Sequence, residues 1–330
     1  MAERPWGFWT ESKLDMLSAY LPAFTTASKN KASATVYLDL FAGQELNVGR
    51  HTGEPIKGSL RRALETVPQF SVLRGFELRR DRAASLEGTY RADFPQRDVR
   101  VLPGDVHEEL EPALRRLSNL RWAPTFAFID PDGVEARWSL LESLAAYKHE
   151  RSTKVELFML LLSPQIGRVV HGYNDAENKA RAEQHVTDLF GSEEWRPILR
   201  ARQAGELDPE RARDELTNLM RWRMEQALGY RYTHTVRLTN TRGAPLYDMV
   251  FATDHEVGHR IMRSVYRRAA ESFPQMRQQA RARLRDRAEA ESGSLGLFTT
   301  LEALSDAPLS AGEGYEHTPP SPPFRGIGAR

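Results

Sequence analysis

Acidic side chains recur where apolar runs of this sequence end. Asp39 lies within YLDLFAG, Glu77 ends FSVLRGFE, Asp105 follows VLPG, and Asp130 opens DPDG. The carboxyl ends of parallel strands meet at one edge of a sheet, and ligands bind there, near the point where the strand order reverses. Four carboxylates at such an edge indicate a site for a nucleoside that carries an amino acid group. For any one of them, the alternative is an acid that only begins a loop.

The residues around these acids suit such a ligand. Gly43 lacks a side chain, so the backbone after the first strand can approach the ligand closely. Glu77 lies where a carboxylate can accept two ribose hydroxyls. Asp105, at the end of the third strand, could face an adenine amino group. Since a nucleoside without pyrophosphate needs no phosphate loop, a full glycine-rich motif is not required.

Five apolar segments without polar alternation predict strands that are buried on both faces of a parallel sheet. They cover residues 34–43, 70–77, 98–105, 124–133 and 154–162. The segments between them have the apolar spacing of amphipathic helices. Strands that alternate with helices predict an α/β protein with a mostly parallel, doubly wound sheet.

Other segments flank this alternating core. An N-terminal helix is expected over residues 10–22, ending at Pro22. Two strand-like runs joined by TRG predict a late antiparallel hairpin. The predicted organisation is therefore a core with its N-terminal helix over 1–163, a helical insertion over 164–230, a hairpin with helices over 231–304, and a flexible Pro/Gly-rich tail over 305–330.

Composition excludes several classes of protein. The chain of 330 residues has no cysteine, which rules out disulfides and cysteine nucleophiles. It contains neither a secretion signal nor the roughly 18 consecutive apolar residues of a membrane span, so we expect a cytoplasmic protein without a membrane partner.

The Arg-rich region 260–287 is typical of a solvated helix face or of a surface that contacts nucleic-acid phosphates.

The segment HEVGH also matches a catalytic motif. In HExxH proteins, two histidines one helical turn apart bind zinc and the glutamate acts as a general base. His255, Glu256 and His259 would have these roles in a zinc metallopeptidase. The downstream acids and His317 show no recognisable third-ligand spacing, and the five predicted strands do not fit this hypothesis. The main interpretation therefore assigns no metal ligand.

Several motifs together resemble a known family. They are WTESKL near the N-terminus, YLDLFAG, GSL at 58–60, GD at 104–105, FIDPDG at 128–133 and APLYDMVFATDHEVGHRIM. In this order and spacing they resemble the three-Cys-motif partner proteins, a group of predicted methyltransferases. The resemblance spans roughly residues 6–265.

This resemblance implies a Rossmann-like methyltransferase fold, S-adenosylmethionine as cofactor, and a separate partner protein that carries a cysteine motif. The acceptor would be a nucleic-acid amino group. Lys13 would either close over the cofactor or help to dock the N-terminal helix. The implied cofactor-binding residues are Asp39, Phe41, Ala42 and Gly43 at the methionine end, Glu77 at the ribose and Asp105 at the adenine; the implied catalytic residues are Asp130, Pro131 and Asp132.

Three positions depart from the family pattern. Gln44 and Glu45 stand where family members commonly have proline and a second glycine, and Asp132 replaces an aromatic residue. These departures favour a second hypothesis, in which the chain is a cofactor-binding partner subunit without catalytic activity.

Overall fold

The structure is a computed structural model that describes residues 7–49, 53–148, 153–172, 175–240, 242–292 and 315–326; for residues 8, 9, 171 and 283–292 it describes the backbone alone. Within these described residues, the strands are β1 (Val36–Asp39), β2 (Leu46–Val48), β3 (Pro55–Lys57), β4 (Val72–Glu77), β5 (Asp98–Pro103), β6 (Thr125–Ile129), β7 (Glu156–Leu161), β8 (Tyr232–Thr239) and β9 (Pro245–Thr253). The α-helices in the same part of the chain are α1 (Phe8–Lys29), α2 (Ser59–Glu65), α3 (Arg80–Asp93), α4 (Val106–Arg116), α5 (Trp138–Ala146), α6 (Ser163–His171), α7 (Ala176–Phe190), α8 (Trp195–Gln203), α9 (Pro209–Gln226) and α10 (Glu256–Ser292).

Seven strands form the main sheet in the order β5-β4-β1-β6-β7-β9-β8. The five strands predicted from apolar runs are mutually parallel. The late hairpin is antiparallel, and β9 pairs with β7, so β8 forms the edge of the sheet. The order of the parallel strands reverses at β1, as in doubly wound nucleotide-binding folds. This topology confirms the predicted α/β fold, with a mostly parallel, doubly wound sheet and a late antiparallel hairpin.

Helices cover both faces of this sheet. One face packs against α1, α2, α3 and α10, and the other against α4 to α9. Alternate residues of β1 belong to opposite faces: Val36 and Leu38 lie in the core of one, and Tyr37 in the core of the other. Burial on both faces explains the absence of polar alternation in the strand sequences.

The structure differs from the sequence predictions at three places. Helix α1 continues through Pro22 to Lys29, because Leu21 and Phe24 are buried against the sheet and this burial outweighs the cost of the proline. The loop after β1 contains a short hairpin, β2 with β3, that was not predicted. By contrast, the range 164–230 predicted as a helical insertion does hold helices, α7 to α9 and all of α6 except its first residue.

The third difference is at the C-terminus. Residues 315–326 were predicted to belong to a flexible tail, but they lie against the folded chain. Asn218 exchanges two hydrogen bonds of 2.9 Å with the backbone of Ser321, and the backbone N–H of Phe324 donates to Glu215. The rest of the predicted tail, 305–314 and 327–330, lies outside the described residues. Across the described ranges, no helix has both the length and the apolar character to cross a membrane.

Candidate functional site

A cavity of about 960 Å³ opens at the carboxyl end of the parallel strands. The loops after β1, β4, β5 and β6 form much of its wall, and helices α1 and α7 contribute side chains. The cavity therefore lies at the point where the strand order reverses, which is where open α/β sheets bind ligands. Its volume is within the range that suits a small organic ligand.

Eight of the nine residues predicted to form the site line this cavity. They are Phe41, Ala42, Gly43, Glu77, Asp105, Asp130, Pro131 and Asp132.

Asp39 is the exception, because its side chain is fully buried in the sheet and does not reach the cavity wall. The Tyr37 hydroxyl donates a hydrogen bond of 3.2 Å to Oδ2 of Asp39. Oδ1 has no partner with hydrogen-bond geometry among the described residues. Burial raises the pKa of Asp39 to about 7, although Ser59 and Tyr37 favour its ionised form. Asp39 is therefore a structural residue behind the cavity wall.

The loop after β1 places a glycine and a glutamine in the cavity wall. Gly43 has a φ of 57°, a left-handed conformation that favours glycine. Gln44 lines the cavity, and its side chain accepts a hydrogen bond of 2.9 Å from Asn47. Glu45 instead forms an ion pair of 2.6 Å with Arg61 and does not line the cavity. Of these two departures from the family pattern, only Gln44 occupies space at the site.

Glu77 ends β4 and presents a mostly buried carboxylate. The side chain is 7% exposed. The backbone N–H of Arg79 donates to its Oε1 at 2.9 Å, and the Arg82 guanidinium lies 3.7 Å from Oε2. The carboxylate is therefore held in one orientation at the cavity wall.

Asp105 is the N-cap of α4 and accepts a hydrogen bond of 2.9 Å from the backbone N–H of His107. The preceding Gly104 has a φ of 130°, which favours glycine at that position. His107 also lines the cavity: Nε2 lies 2.9 Å from the Glu135 carbonyl oxygen, and Nδ1 is buried without a partner among the described residues. Burial lowers the pKa of His107, so its ring is neutral near pH 7.

Lys13 and Asp130 form an ion pair across the cavity. The ammonium of Lys13 donates to both carboxylate oxygens of Asp130, at 2.7 and 2.5 Å. It also lies 6.0 Å from the ring centroid of Tyr247, which lines the cavity as well. The sequence indicated Lys13 through the WTESKL segment but gave no sign of its partner 117 residues away.

Other residues of the wall were not predicted. His185 and Asp188 reach the cavity from α7, within the helical insertion, and Glu135 follows the predicted DPDG segment. Burial raises the pKa of Glu135, and the charges of Asp132 and Asp105 raise it further. The only sequence signal for the two α7 residues is their spacing of three, which places them on one side of a helix.

The structure does not support a zinc peptidase site in HEVGH. His255 precedes α10 and lines a separate cavity of about 120 Å³. His259 lies on the helix, where its Nδ1 is 2.9 Å from Nε2 of His234. Glu256 accepts a hydrogen bond of 2.6 Å from the Tyr232 hydroxyl. Among the described residues, the group of three possible metal ligands that contains His259 does not include His255.

Comparisons with known proteins assign no family to this chain. No protein-family model matches the sequence, and no curated protein matches it. A candidate O-methyltransferase of Klebsiella pneumoniae is 14% identical, with 72% of this chain and 80% of that chain covered and a TM-score of 0.37. A Legionella pneumophila protein is 12% identical, with coverages of 82% and 90% and a TM-score of 0.38. The methyltransferase domain of a bacterial protein, CtHen1-C, is 10% identical, with coverages of 72% and 98% and a TM-score of 0.36. At these values, none of the three structures identifies a reaction for this chain.

Proposed function

We propose that this chain binds S-adenosylmethionine and transfers its methyl group, as a methyltransferase of the three-Cys-motif partner type. One observation carries the proposal: Gly43, Glu77, Asp105 and Asp130, from the ends of four neighbouring parallel strands, line one cavity at the switch point of the sheet. Such a cavity is the default ligand site of an open α/β sheet.

The polar groups of the wall fit the proposed cofactor. Glu77 would accept hydrogen bonds from the two ribose hydroxyls, and Asp105 from the adenine amino group. The buried Nδ1 of His107 lacks a partner among the described residues and offers the base a further hydrogen bond. Gly43 leaves room for the methionine portion, because it has no side chain at the turn after β1.

The protein's task in the reaction would be positioning. S-adenosylmethionine supplies an electrophilic methyl group, so the residues need only align an acceptor with it. Asp130 would accept a hydrogen bond from an acceptor amine and direct the nitrogen lone pair. Lys13, which contacts both oxygens of Asp130, would fix the carboxylate and share it with the acceptor.

The proposed acceptor is a nucleic-acid amino group. Arg260, Arg263 and Arg267 are exposed on α10 at a spacing that places them on one side of the helix, where they would contact phosphates. For residues 283–287 of the Arg-rich region, the side chains lie outside the described ones. Because this chain has no cysteine, the cysteine motif of the proposed partner would belong to another protein. The cytoplasm is the expected location.

Cofactor binding is tested by isothermal titration with S-adenosylhomocysteine, which is not consumed. We expect the wild type to bind one equivalent. Glu77→Gln should bind at least about tenfold more weakly, because hydrogen bonds to a charged group contribute about 1.5–3 kcal/mol. Glu108→Gln, an exposed change outside the cavity wall, is the control and should bind like the wild type. Absence of binding to the wild type would refute the proposal.

Methyl transfer is tested with tritiated S-adenosylmethionine and separate RNA, DNA and protein fractions. We expect label in a nucleic-acid fraction, and its loss in Asp130→Ala with cofactor affinity retained. Unchanged transfer by Asp130→Ala would remove the proposed role of Asp130. Cofactor binding without label in any fraction would favour the non-catalytic partner subunit.

A further inference from the structure

Three histidines from distant parts of the chain meet beside the edge strand of the sheet. His234 lies on β8, His259 in the first turns of α10, and His317 in the C-terminal segment. One possible ligand nitrogen from each lies within 4.8 Å of the others. The ring centroids are 4.8 Å apart for His234 and His259, 4.4 Å for His234 and His317, and 5.0 Å for His259 and His317. We call these residues the three-histidine cluster.

Hydrogen bonds assign different roles to the ring nitrogens. Nε2 of His317 lies 3.0 Å from the Thr233 carbonyl oxygen, which can only accept, so Nε2 carries the proton and Nδ1 has the free lone pair. Nδ1 of His234 lies 2.7 Å from the Tyr315 hydroxyl, and its Nε2 lies 2.9 Å from Nδ1 of His259. Histidines that bind metals usually have this arrangement, in which one nitrogen faces the ion and the other is held by a carbonyl or another polar group.

Burial disfavours the charged form of these imidazoles. His234 is fully buried, and burial, with the neighbouring His317 and His259, lowers its pKa to about 2. Burial also lowers the pKa values of His259 and His317. Neutral imidazole is the form that binds metal, and the hydrogen bond from Nε2 of His317 to the Thr233 carbonyl oxygen leaves Nδ1 of that ring with a free lone pair.

The type of ligand selects among metals, because the cluster contains no carboxylate. The charges of Arg221 and Arg263 lie close enough to lower the pKa of His234 and oppose any cation, and the charge of Glu256 partly offsets them at His259. Ca²⁺ and Mg²⁺ require oxygen ligands, so they do not fit. Zinc and similar transition metals bind imidazole. With Zn–N bonds of 2.0–2.1 Å, tetrahedral ligand nitrogens lie about 3.3 Å apart. Here Nε2 of His234 and Nδ1 of His259 are 2.9 Å apart, and ligand nitrogens of all three residues lie within 4.8 Å of one another, so small side-chain movements would reach that distance.

We propose that His234, His259 and His317 form a binding site for a zinc-like transition metal, which fastens the C-terminal segment to β8 and α10. This site is separate from the cavity of about 960 Å³, because none of the three histidines lines that cavity. It is also separate from an HEVGH site, because it uses His259 without His255. Since a metal that closes a long loop stabilises the folded chain, the ion would hold residues 315–326 in place.

The test is a titration of the untagged full chain with Co²⁺, followed by visible absorption, and then displacement by Zn²⁺. We expect one Co²⁺ per chain, with the absorption of a tetrahedral site. His317→Ala and His259→Ala should each bind at least about tenfold more weakly, since loss of even an outer-shell contact costs 10–100-fold. His255→Ala is the matched control and should stay within about twofold of the wild type. His259 and His317 are chosen because they are partly exposed, so removing them leaves the core intact.

Hydrogen exchange provides a second readout. Zn²⁺ should slow exchange at residues 315–326 in the wild type but not in His317→Ala. Three results would each overturn the proposal: no stoichiometric binding of Co²⁺ or Zn²⁺, equal affinity in wild type and His317→Ala, or equal loss of binding in His255→Ala. The titrations contain no S-adenosylmethionine, so they succeed or fail independently of the proposed methyl transfer.

Discussion

At the scale of single residues, burial gives the acids at the ends of the strands different functions. Glu77 and Asp105 reach the cavity, whereas Asp39 is still part of β1 and lies inside the sheet. A carboxylate in that position is costly to ionise, because few groups replace its lost hydration. Asp39 is therefore expected to influence stability more than it contacts a ligand.

This position of Asp39 predicts a pH dependence of stability. The pKa of Asp39 is about 7 in the folded chain, against an ordinary value of 3.8. Between pH 4 and pH 7, the unfolded chain has released a proton that the folded chain still holds, so the free energy of unfolding falls as pH rises and levels off above about 7. Asp39→Asn has no carboxyl group to titrate, so its stability lacks this fall. The free energy of unfolding of Asp39→Asn relative to that of the wild type should therefore rise by a few kcal/mol between pH 4 and pH 8, at about 1.4 kcal/mol per unit of pKa shift.

Urea unfolding at a series of pH values measures this difference. Glu156 has a raised pKa as well, but it is present in both proteins and cancels. Glu108→Gln, an exposed change, should show no comparable trend. If the free energies of unfolding of Asp39→Asn and the wild type differ by the same amount at every pH in this range, the raised pKa of Asp39 is contradicted.

At the scale of elements, the loop after β1 and the start of α2 are packed backbone against backbone. The backbone N–H of Gly58 donates to the Glu45 carbonyl oxygen at 2.6 Å. A Cβ at Gly58 would lie 2.1 Å from the Gln44 carbonyl oxygen. The φ of Gly58 is -67°, which any residue can adopt, so only space requires glycine there. The GSL segment therefore holds the loop that forms part of the cavity wall.

Gly58→Ala should consequently reduce both stability and cofactor affinity. The backbone must move to admit the methyl group, at a cost of about 1–3 kcal/mol, and Gln44 moves with it. Gly88→Ala is the matched control, because a Cβ at that position in α3 meets nothing within 4 Å. It should stabilise the protein by about 0.4–1 kcal/mol. Thermal unfolding and titration with S-adenosylhomocysteine measure the two effects, and a neutral Gly58→Ala would contradict the packing.

At the scale of the whole molecule, the C-terminal segment and the cavity use different parts of the fold. Residues 315–326 contact β8, α9 and α10, whereas the cavity is formed by other loops and helices. The Arg221 guanidinium donates to the carbonyl oxygens of both Thr233 and Thr318, which links the segment to the edge of the sheet. The segment is thus attached to the edge strand β8 and to α9.

Deletion of residues 315–330 should therefore reduce stability without weakening cofactor binding. The lost hydrogen bonds and burial should lower the free energy of unfolding by about 1–3 kcal/mol. Affinity for S-adenosylhomocysteine should stay within about twofold, because separate sites act additively. Unfolding and titration of the full and shortened chains measure both quantities. A shortened chain with wild-type stability, or with much weaker cofactor binding, would contradict this independence.

The amino-acid sequence by itself determined the parallel strands, the hairpin and eight residues of the cavity wall, out of nine that it predicted for the site. Apolar runs and helix periodicity are local properties, and parallel strands bring their carboxyl ends to one edge without further information. Only the tertiary structure decided that Asp39 is buried, that Lys13 contacts Asp130, and that His234 meets His259 and His317. These outcomes depend on how distant elements pack and exclude water, and local residue preferences do not encode that packing.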